Sequence, residues 1–489
     1  MATLTFSYDD EKTWDLFKDG RTKGVFQLES NLGRAWSKRL QPTNLEELGA
    51  LIALIRPGSL KAITDGKSMT QHYVDRKSGL DIIKYLHESL TDVLQSTKGV
   101  LIYQEQSMRI AQELAGFNLQ EADVLRKAIG KKKADLMAKV KESHAICYAE
   151  NSYKSAWYKA NHTKEFFLSY LTYANEKQDP HQEIYELVSE AKLFDIEVKI
   201  PNVSLFNKTF GVYKNNLYFG LKDIKSLTGV NGDKVMKAIS ETCKEIGKRP
   251  KEFNWIDILV YLSPKINATA FKALCSVGFF STKSIGVTRN KALYEYLIFK
   301  NLTKAELKWL TLNYPVRKWK NLYSAFKDLA PTKKEGGGTS KVDRKQIIEN
   351  EMFFIENPPY DLSDDPEWIV EQEKKFLGCP VSLSKVEASD TSHSNTTCKE
   401  ILNGKHGKDI CIVANVSRLQ KYKCKKGKSK GKDMCFLTLE DETCSIDNVV
   451  VFPETTEKTK YILDEGLNLL FCGEVEKDGS FIINKIHEI

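Results

Sequence analysis

The sequence predicts an α+β protein of several domains, mainly helical in its first part and ending in a small β barrel. Its 489 residues exceed the usual size of one domain, and a composition with 41% hydrophobic and 28% charged residues is ordinary for globular proteins. Two observations predict this class: helical periodicity over residues 99–133, and five short alternating segments after residue 408.

Two consecutive helices are predicted between Gly99 and Lys133. Asn118 occupies an N-cap position with Glu121 three residues later, and Gly130 is expected to end the second helix in a left-handed conformation. In the first helix an apolar stripe is expected to form the core face, with Gln104, Glu105, Gln106 and Arg109 off it. The stripe comprises Leu101, Ile102, Met108, Ile110, Ala111, Leu114 and Ala115.

Cations crowd the end of the second helix, at Arg126, Lys127 and Lys131–Lys133. Complementing the helix dipole stabilises by about 0.3–1 kcal/mol per cation and explains one or two of them. Five cations in eight residues therefore favour an anion or phosphate site over a merely solvated face.

The stretch Tyr103–Lys133, YQEQSMRIAQELAGFNLQEADVLRKAIGKKK, resembles the fingers of the bacterial replicative DNA polymerase III alpha subunit, a C-family polymerase. Gly24–Ser30 (GVFQLES) and Ala53–Leu60 (ALIRPGSL) are similar to two further blocks of that family, in the same order. The resemblance covers most of the chain as the C-terminal portion of such a subunit and is strongest before residue 175. It implies mainly helical polymerase fingers over residues 1–175.

The resemblance also implies a binding site for an incoming dNTP, formed by Arg56, Arg126, Lys127, Lys131, Lys141 and His144, in which Arg126, Lys127 and the following lysines bind the triphosphate. Glu142 stands where the family has a basic residue, and the helices that usually precede Ser143 are nearly absent. A carboxylate there would repel a triphosphate by about 1–4 kcal/mol at contact range. His144 as a packed core residue, and Tyr148, Tyr153, Trp157 and Tyr158 as core rather than stacking residues, remain open alternatives.

Catalysis requires paired carboxylates that hold two divalent ions, which the family supplies from a D-x-D motif in its palm. No D-x-D occurs before residue 60. Asp9-Asp10, Asp364-Asp365 and Glu440-Asp441-Glu442 are interpreted as turns or solvated loops. We therefore expect no catalytic residue here, Mg²⁺ held mainly by palm residues of a separate chain, and no activity of this chain alone.

Residues 176–330 are expected to form a DNA-binding region. Ile224–Ile239 resembles a helix-hairpin-helix, in which Gly229 and Gly232 let backbone amides approach a DNA phosphate beside Lys234. The related segment Phe271–Phe280 has one glycine and is expected to pack.

Residues 331–407 are expected to hold a linker and a possible clamp-binding segment. Asp328–Lys345 is rich in glycine, lysine and hydroxyl residues, a composition typical of flexible linkers. Met352 and Phe353 lie about where the family carries its peptide for the sliding clamp, and both could anchor in its pocket. The expected glutamine is missing, so local packing is an equal alternative.

Residues 408–489 predict a five-stranded barrel of OB type, with strands at 410–416, 434–440, 445–452, 467–475 and 480–486 and a turn at Asp478-Gly479. A lysine-rich loop between the first two strands is expected to bind single-stranded DNA, a solvated loop being the alternative. Its candidate residues are Lys421, Tyr422, Lys423, Lys425, Lys426, Lys428, Lys430 and Lys432.

Composition excludes several other classes. The ten cysteines contain no C-x-x-C pair and the eight histidines are scattered, so neither a zinc site nor a disulfide framework is expected. The net charge of +8 is clustered, which suits a polyanion. No signal peptide opens the chain, and the apolar run Leu48–Ile55 is too short to span a membrane, so we expect a cytoplasmic protein of a bacterium or a phage-infected cell.

The sequence thus predicts part of a replicative DNA polymerase that binds dNTP and primer-template DNA. The alternative is a non-catalytic DNA-binding or clamp-adaptor protein, or an inactive relic, motivated by Glu142 and the shortened segment. The residues do not distinguish a bacterial from a phage origin.

Overall fold

The computed structural model describes residues 6–132, 141–383, 386, 389, 391–424, 429–476 and 479–489, with the backbone alone for residues 129–132. The chain forms two compact units. The first comprises Met1–Tyr170, Glu400–Gly407 and Val475–Phe481, and the second comprises Leu171–Lys399, Lys408–Glu474 and Ile482–Ile489. Helices and small sheets occur together, which confirms the predicted α+β class.

The first unit is mainly helical and carries one two-stranded hairpin, formed by β1 (Ile63–Thr64) and β2 (Lys67–Ser68). Its helices are α1 (Glu11–Lys18), α2 (Asn31–Leu40), α3 (Leu45–Leu54), α4 (Pro57–Lys61), α5 (Met69–Lys77), α6 (Thr91–Leu94), α7 (Gln104–Ala115), α8 (Leu119–Lys132), α9 (Glu142–Asn161) and α10 (Thr163–Tyr173).

Helix α9 packs against α3 through small side chains. Ala145, Ala149 and Ala156 follow one helical face and are fully buried. On α3, a Cβ atom at Gly49 would lie 3.0 Å from Ile146 Cδ1, so glycine permits the close approach of the two helices. The long helix α9 is thereby fixed against the core of the unit.

The two helices predicted between Gly99 and Lys133 are present as α7 and α8. The Asn118 side chain accepts a hydrogen bond from the Glu121 amide (3.0 Å), and Glu121 accepts one from the Asn118 amide (2.9 Å), which confirms the predicted capping box. Helix α8 continues to Lys132, so the prediction that Gly130 ends it is wrong.

The predicted core face of α7 is only partly correct. Ala111 is buried, but Leu114 is 52% exposed, and the polar Gln106 is buried instead. Gln106 accepts hydrogen bonds from the amides of Ile102 and Tyr103 and donates to the Val93 carbonyl. These bonds satisfy backbone groups at the start of the helix, a need that hydrophobic periodicity does not reveal.

The second unit contains a three-stranded sheet in the order β3 (Val198–Lys199), β5 (Asn216–Tyr218) and β4 (Gly211–Tyr213). Its further helices are α11 (Pro180–Lys192), α12 (Val230–Ile246), α13 (Trp255–Asp257), α14 (Ala268–Ser276), α15 (Arg289–Phe299), α16 (Lys304–Arg317), α17 (Leu322–Leu329), α18 (Val342–Glu356), α19 (Pro366–Leu377) and α20 (Cys398–Leu402).

The glycine-rich segment after α17 is a packed turn, where composition predicted a flexible linker. The Gly338 amide donates a hydrogen bond to the Leu329 carbonyl (3.0 Å). The hydroxyl of the buried Thr339 donates one to the Ala330 carbonyl (2.9 Å). A Cβ atom at Gly338 would lie 2.8 Å from the Trp309 ring. The glycines therefore serve close packing here, which composition alone does not distinguish from flexibility.

The C-terminal strands close into a barrel in the order β10, β8, β7, β6, β9. They are β6 (Gly407–Lys423), β7 (Asp433–Glu440), β8 (Ser445–Val451), β9 (Asn468–Val475) and β10 (Phe481–Glu488), with helix α21 (Pro453–Thr459) between β8 and β9. Five strands appear where five were predicted. The OB type stays a prediction, which a small closed five-stranded barrel favours.

Cys411 on β6 and Cys472 on β9 form a disulfide, which the cysteine spacing did not predict. The two residues are 61 positions apart in sequence, and only closure of the barrel brings them to a Cα–Cα distance of 4.3 Å. Within the described ranges no helix is both long enough and apolar enough to cross a membrane.

Candidate nucleotide and nucleic-acid interface

The loop Arg21–Leu28, which contains most of the GVFQLES block, is held by side chains from later helices. The buried Lys159 of α9 donates to the carbonyl oxygens of Lys23 (2.7 Å) and Arg21 (3.0 Å), and the Tyr170 hydroxyl of α10 donates to that of Gly24. Nothing in the spacing of the sequence pointed to Lys159. A lysine on an otherwise apolar helix face can be recognised as a structural residue only when the carbonyl oxygens that it binds are known.

The two predicted triphosphate cations of α8 that the structure describes share one carboxylate. Arg126 donates to Asp123 through Nη2 (2.7 Å) and Nε (3.0 Å) and to Gln104 through Nη1 (3.2 Å), and Lys127 Nζ lies 2.6 Å from Asp123. These two cations hold the pKa of Asp123 below its usual value. The sequence analysis missed Asp123, although its spacing of three and four residues from the cations predicts such pairs.

Lys141 and His144 lie at the start of α9. Lys141 is the N-cap residue and is exposed, and His144 is exposed one turn later with its ring 4.0 Å from that of Tyr148. His144 is therefore not the packed core histidine that was left open. Lys131 lies in the part of α8 whose side chains are outside the described residues.

Carboxylates accompany these cations. The Glu142 amide donates to Glu105 of α7 (3.1 Å), so a carboxylate already occupies the N-terminus of α9, and the Glu142 side chain is exposed in the same turn. An incoming anion would meet Asp123, Glu105 and Glu142 as well as the cations. The described residues alone do not make this region strongly positive.

Arg56 lies at the N-terminus of α4. It is an extended N-cap residue (φ −102°, ψ 150°) before Pro57, the first residue of α4. Its side chain is half-buried and has no hydrogen-bond or ion-pair partner among the described residues.

The acidic clusters are structural, and a metal site does not fit them. Asp10 accepts from Asn161 (2.9 Å), Asp365 caps α19, and the buried Asp441 accepts from the Cys398 amide. Glu440 is not the solvated residue expected: it accepts from the Tyr185 hydroxyl, and burial raises its pKa. Across the described part of the chain, no group of three or more His, Cys, Asp or Glu residues could hold a metal ion.

The hairpin before α12 offers fewer amides than its two glycines suggested. Gly229 has a positive φ of 63° with open space around it, but the Gly232 amide donates to the Leu227 carbonyl (2.8 Å). Gly232 is needed because a Cβ atom there would lie 2.9 Å from that carbonyl oxygen. Lys234 is exposed on the first turn of α12, beside Asp233, which pairs with Lys222 (2.7 Å).

The lysine-rich segment begins on a strand instead of a loop. Lys421, Tyr422 and Lys423 end β6 and are exposed, with Tyr422 paired to Met434 in register. Phe436 of β7, which the sequence analysis missed, is 40% exposed with its ring 6.5 Å from that of Tyr422. Lys430 and Lys432 are exposed in the connection to β7, whereas Lys425, Lys426, Lys428 and Asp478 lie outside the described residues.

Met352 and Phe353 lie inside helix α18. Phe353 is 61% exposed and Phe354 is 47% exposed, with ring centroids 5.8 Å apart, while Met352 is half-buried. The segment is therefore a helical turn with an exposed aromatic pair.

The second unit also contains a cleft of about 860 Å³ that includes none of the predicted site residues. Lys192, Lys199 and Lys399 line it together with Glu440, and Lys199 and Lys399 pair with Glu197 (2.8 Å) and Asp195 (2.9 Å). The charges of the cleft are thus largely compensated.

Comparison with known proteins gives consistent matches. Residues 1–151 match the model of the bacterial DNA polymerase III alpha subunit finger domain. The DNA polymerase III subunit alpha of Aquifex aeolicus is 32% identical over 84% of this chain and 36% of its own length. Those of Bacillus subtilis and Pasteurella multocida are each 28% identical, over 96% and 97% of this chain and 40% of their own lengths. The chain thus spans about two fifths of these relatives.

Proposed function

Because the chain belongs to the bacterial DNA polymerase III alpha family, we propose that it is the part of a replicative DNA-directed DNA polymerase that binds incoming dNTP and primer-template DNA. The match of residues 1–151 to the finger domain carries this proposal, because that segment contains the helix α8 with Arg126 and Lys127. As part of a replication enzyme it would work in the cytoplasm.

Arg126 and Lys127 keep donors for a triphosphate while they pair with Asp123. A guanidinium has five N–H groups, and three are used on Asp123 and Gln104; an ammonium has three, and one faces Asp123. The remaining donors can bind phosphate oxygens. Lys131, Lys141, Arg56 and His144 are proposed to complete the dNTP-binding site, with His144 as a contact to the nucleotide.

The catalytic metals are proposed to be bound elsewhere in the complex. No described carboxylate cluster fits a metal, since the acidic groups above are used as caps and hydrogen-bond acceptors. Mg²⁺, when bound by palm carboxylates of another chain, would neutralise phosphate charge. This chain would contribute the fingers and the DNA grip.

DNA contact is proposed at two places. The exposed Lys234 and the open Gly229 at the start of α12 suit a duplex phosphate. On the barrel, the exposed rings of Tyr422 and Phe436 are 6.5 Å apart, and the exposed Lys421, Lys423, Lys430 and Lys432 lie near them along the chain, which suits single-stranded DNA. Lys425, Lys426 and Lys428 are proposed to extend this surface.

A sliding clamp is a further proposed partner. The exposed Phe353 could fill an apolar pocket of a clamp, with the half-buried Met352 beside it. Burial of one aromatic side chain is worth about 1.5–3 kcal/mol, so Phe353 would act as an anchor.

A second candidate is a non-catalytic DNA-binding adaptor. The carboxylates Asp123, Glu105 and Glu142 near the proposed triphosphate site favour it, because each opposes anion binding. It retains the DNA and clamp contacts and lacks nucleotide binding.

Primer extension separates the two candidates. We would compare this chain, a palm-bearing chain from a neighbouring reading frame with a D-x-D motif, and their mixture, with Mg²⁺ and four dNTPs. Extension by the mixture alone is expected. Extension by this chain alone would contradict the separate palm, and an inactive mixture with retained DNA binding would favour the adaptor.

A further inference from the structure

Phe26 is exposed to solvent on a loop whose residues are mostly buried. Its neighbours Val25 and Leu28 are 0% exposed, whereas Phe26 is 39% exposed. Gln27 adopts a left-handed conformation with φ 64°, which is uncommon for a residue with a side chain. Such strain persists where the surrounding structure fixes it, and it frequently marks functional sites.

The surroundings fix this loop at several points. Lys159 and Tyr170 hold the carbonyls of Lys23 and Gly24, and the Thr22 hydroxyl donates to the Leu28 carbonyl (2.7 Å). The Ser152 hydroxyl of α9 lies 2.7 Å from the Phe26 carbonyl oxygen. The ring of Phe26 is thus supported by a rigid backbone, so binding a ligand there would cost little ordering of the loop.

Three rings form a continuous aromatic surface, which we name the aromatic shelf: Phe26, Tyr148 and His144. The centroids of Phe26 and Tyr148 are 5.2 Å apart at 71°, and those of Tyr148 and His144 are 4.0 Å apart at 46°. Phe26 and His144 are exposed, and Tyr148 is half-buried between them. Lys141, one turn before His144, adds an exposed cation.

We propose that the aromatic shelf binds a nucleobase by stacking on Phe26 and His144, with Lys141 beside the phosphate of the same nucleotide. The proposal rests on the function proposed above and adds a recognition element that the predicted triphosphate cations lack. Flat exposed rings accept any base because every base has a π face. A purine binds more tightly than a pyrimidine because it covers more of the shelf.

The base can come from a free dNTP or from a DNA strand, and the ligands distinguish the two. We would measure the affinities of dATP, dCTP, inorganic tripolyphosphate and a short oligothymidylate for the wild-type chain and for Phe26→Leu. Leucine keeps an apolar side chain next to Tyr148 but has no π face. Tyr461→Leu, which alters a ring of the second unit that is 89% exposed, is the matched control.

We expect Phe26→Leu to weaken dATP binding about ten-fold, the loss of roughly one stacked base, and to leave tripolyphosphate binding unchanged. Weakening of the oligonucleotide alone would assign the shelf to a base of the DNA strand. If wild type and Phe26→Leu bind all three base-containing ligands with equal affinity, the proposed role of the shelf is overturned. If the wild-type chain still binds tripolyphosphate in that case, the proposed fingers function stands without the shelf. If the wild-type chain binds none of the ligands, both the shelf and the fingers function are overturned.

His144→Ala provides a second variant, because its exposed side chain can be removed without opening the core. This variant should weaken the binding of dATP at least three-fold more than the binding of tripolyphosphate. Equal weakening of both ligands would show that His144 contacts phosphate, and it would contradict stacking on this ring. Unchanged thermal unfolding in both variants would attribute the effects to the binding surface.

Discussion

Lys159 Nζ lies 2.7 Å from the carbonyl oxygen of Lys23, and the lysine side chain is fully buried. The same ammonium group donates to the Arg21 carbonyl and lies 5.4 Å from the centre of the Phe167 ring. A buried cation is costly unless carbonyl oxygens or aromatic faces replace its water. Here it ties α9 to the loop that carries Phe26.

Replacing Lys159 by methionine should lower the free energy of unfolding by about 2–4 kcal/mol, because two backbone carbonyls lose their donor in a buried place. Urea unfolding followed by circular dichroism would measure it. Lys154→Met is the control: that lysine pairs with Glu150 at the surface of the same helix, and its loss should cost less than about 1 kcal/mol. Similar losses for both variants would contradict the structural role of Lys159.

The second unit depends on a buried ion pair between Arg289 and Glu373. Their side chains are 6% and 0% exposed, the pair is 2.8 Å long, and Glu373 also accepts from the Ser382 amide (2.8 Å). Arg289→Met should destabilise the protein by about 3–5 kcal/mol, because it leaves a buried carboxylate unpaired. Arg249→Met, which breaks an exposed pair with Glu252, should change the midpoint of denaturation little.

Asp123 should weaken triphosphate binding in the wild-type protein. Its carboxylate contacts both Arg126 and Lys127, so a bound phosphate would lie near a like charge. Asp123→Asn keeps an oxygen acceptor for Arg126 and removes the charge, so tripolyphosphate affinity should rise about five-fold at low salt. Titration calorimetry would measure it, with Glu113→Gln, an exposed carboxylate on α7, as the control. A lower affinity of Asp123→Asn would show that the charge orients the cations.

Asp223, just before the α12 hairpin, should make stability depend on pH. Burial raises its pKa to about 7, although Gly220 and Asn175 donate hydrogen bonds to it. Below pH 4 the folded and unfolded forms are both protonated. Between about pH 4 and 7 the folded form binds the proton more tightly, so stability falls as pH rises and levels off above 7.

Between about pH 4 and 7, Asp223 should lower the free energy of unfolding by about 2–4 kcal/mol. Asp223→Asn should remove most of this pH dependence. The variant should therefore be as stable as wild type at pH 4 and more stable than wild type at pH 8. Denaturant unfolding at a series of pH values would measure this. Parallel curves for wild type and variant would contradict the assignment.

The barrel should bind single-stranded DNA with a salt dependence set by its lysines. If Lys421 contacts a phosphate, Lys421→Ala should reduce the slope of log affinity against log salt concentration by about 0.7. Phe436→Ala should lower affinity by about 1–3 kcal/mol and leave the slope unchanged, because stacking releases no counterions. Fluorescence anisotropy with a labelled oligonucleotide would measure both. An unchanged slope for Lys421→Ala would place that lysine outside the contact.

Local pattern predicted the elements well. The Asn118 capping box, the two helices α7 and α8, and the five C-terminal strands depend on residues close in sequence, and the structure has them at the expected places. The packed turn at Gly336–Gly338 was not predicted, because glycine occurs both in flexible segments and where chains pack closely, as against Trp309 here.

The sequence by itself determined the resemblance to the polymerase fingers, the helix and strand pattern and the clusters of cations, because these are properties of neighbouring residues. Only the tertiary structure decided the pairing of Cys411 with Cys472, the burial of Lys159 under the loop of Lys23, and the aromatic shelf of Phe26, Tyr148 and His144. The disulfide joins residues 61 positions apart, and the Lys159–Lys23 contact spans 136 positions. Within the aromatic shelf, Phe26 is also distant in sequence from Tyr148, whereas Tyr148 and His144 are neighbours on α9. Their free energy is gained when packing closes the chain on itself, and no local spacing records it.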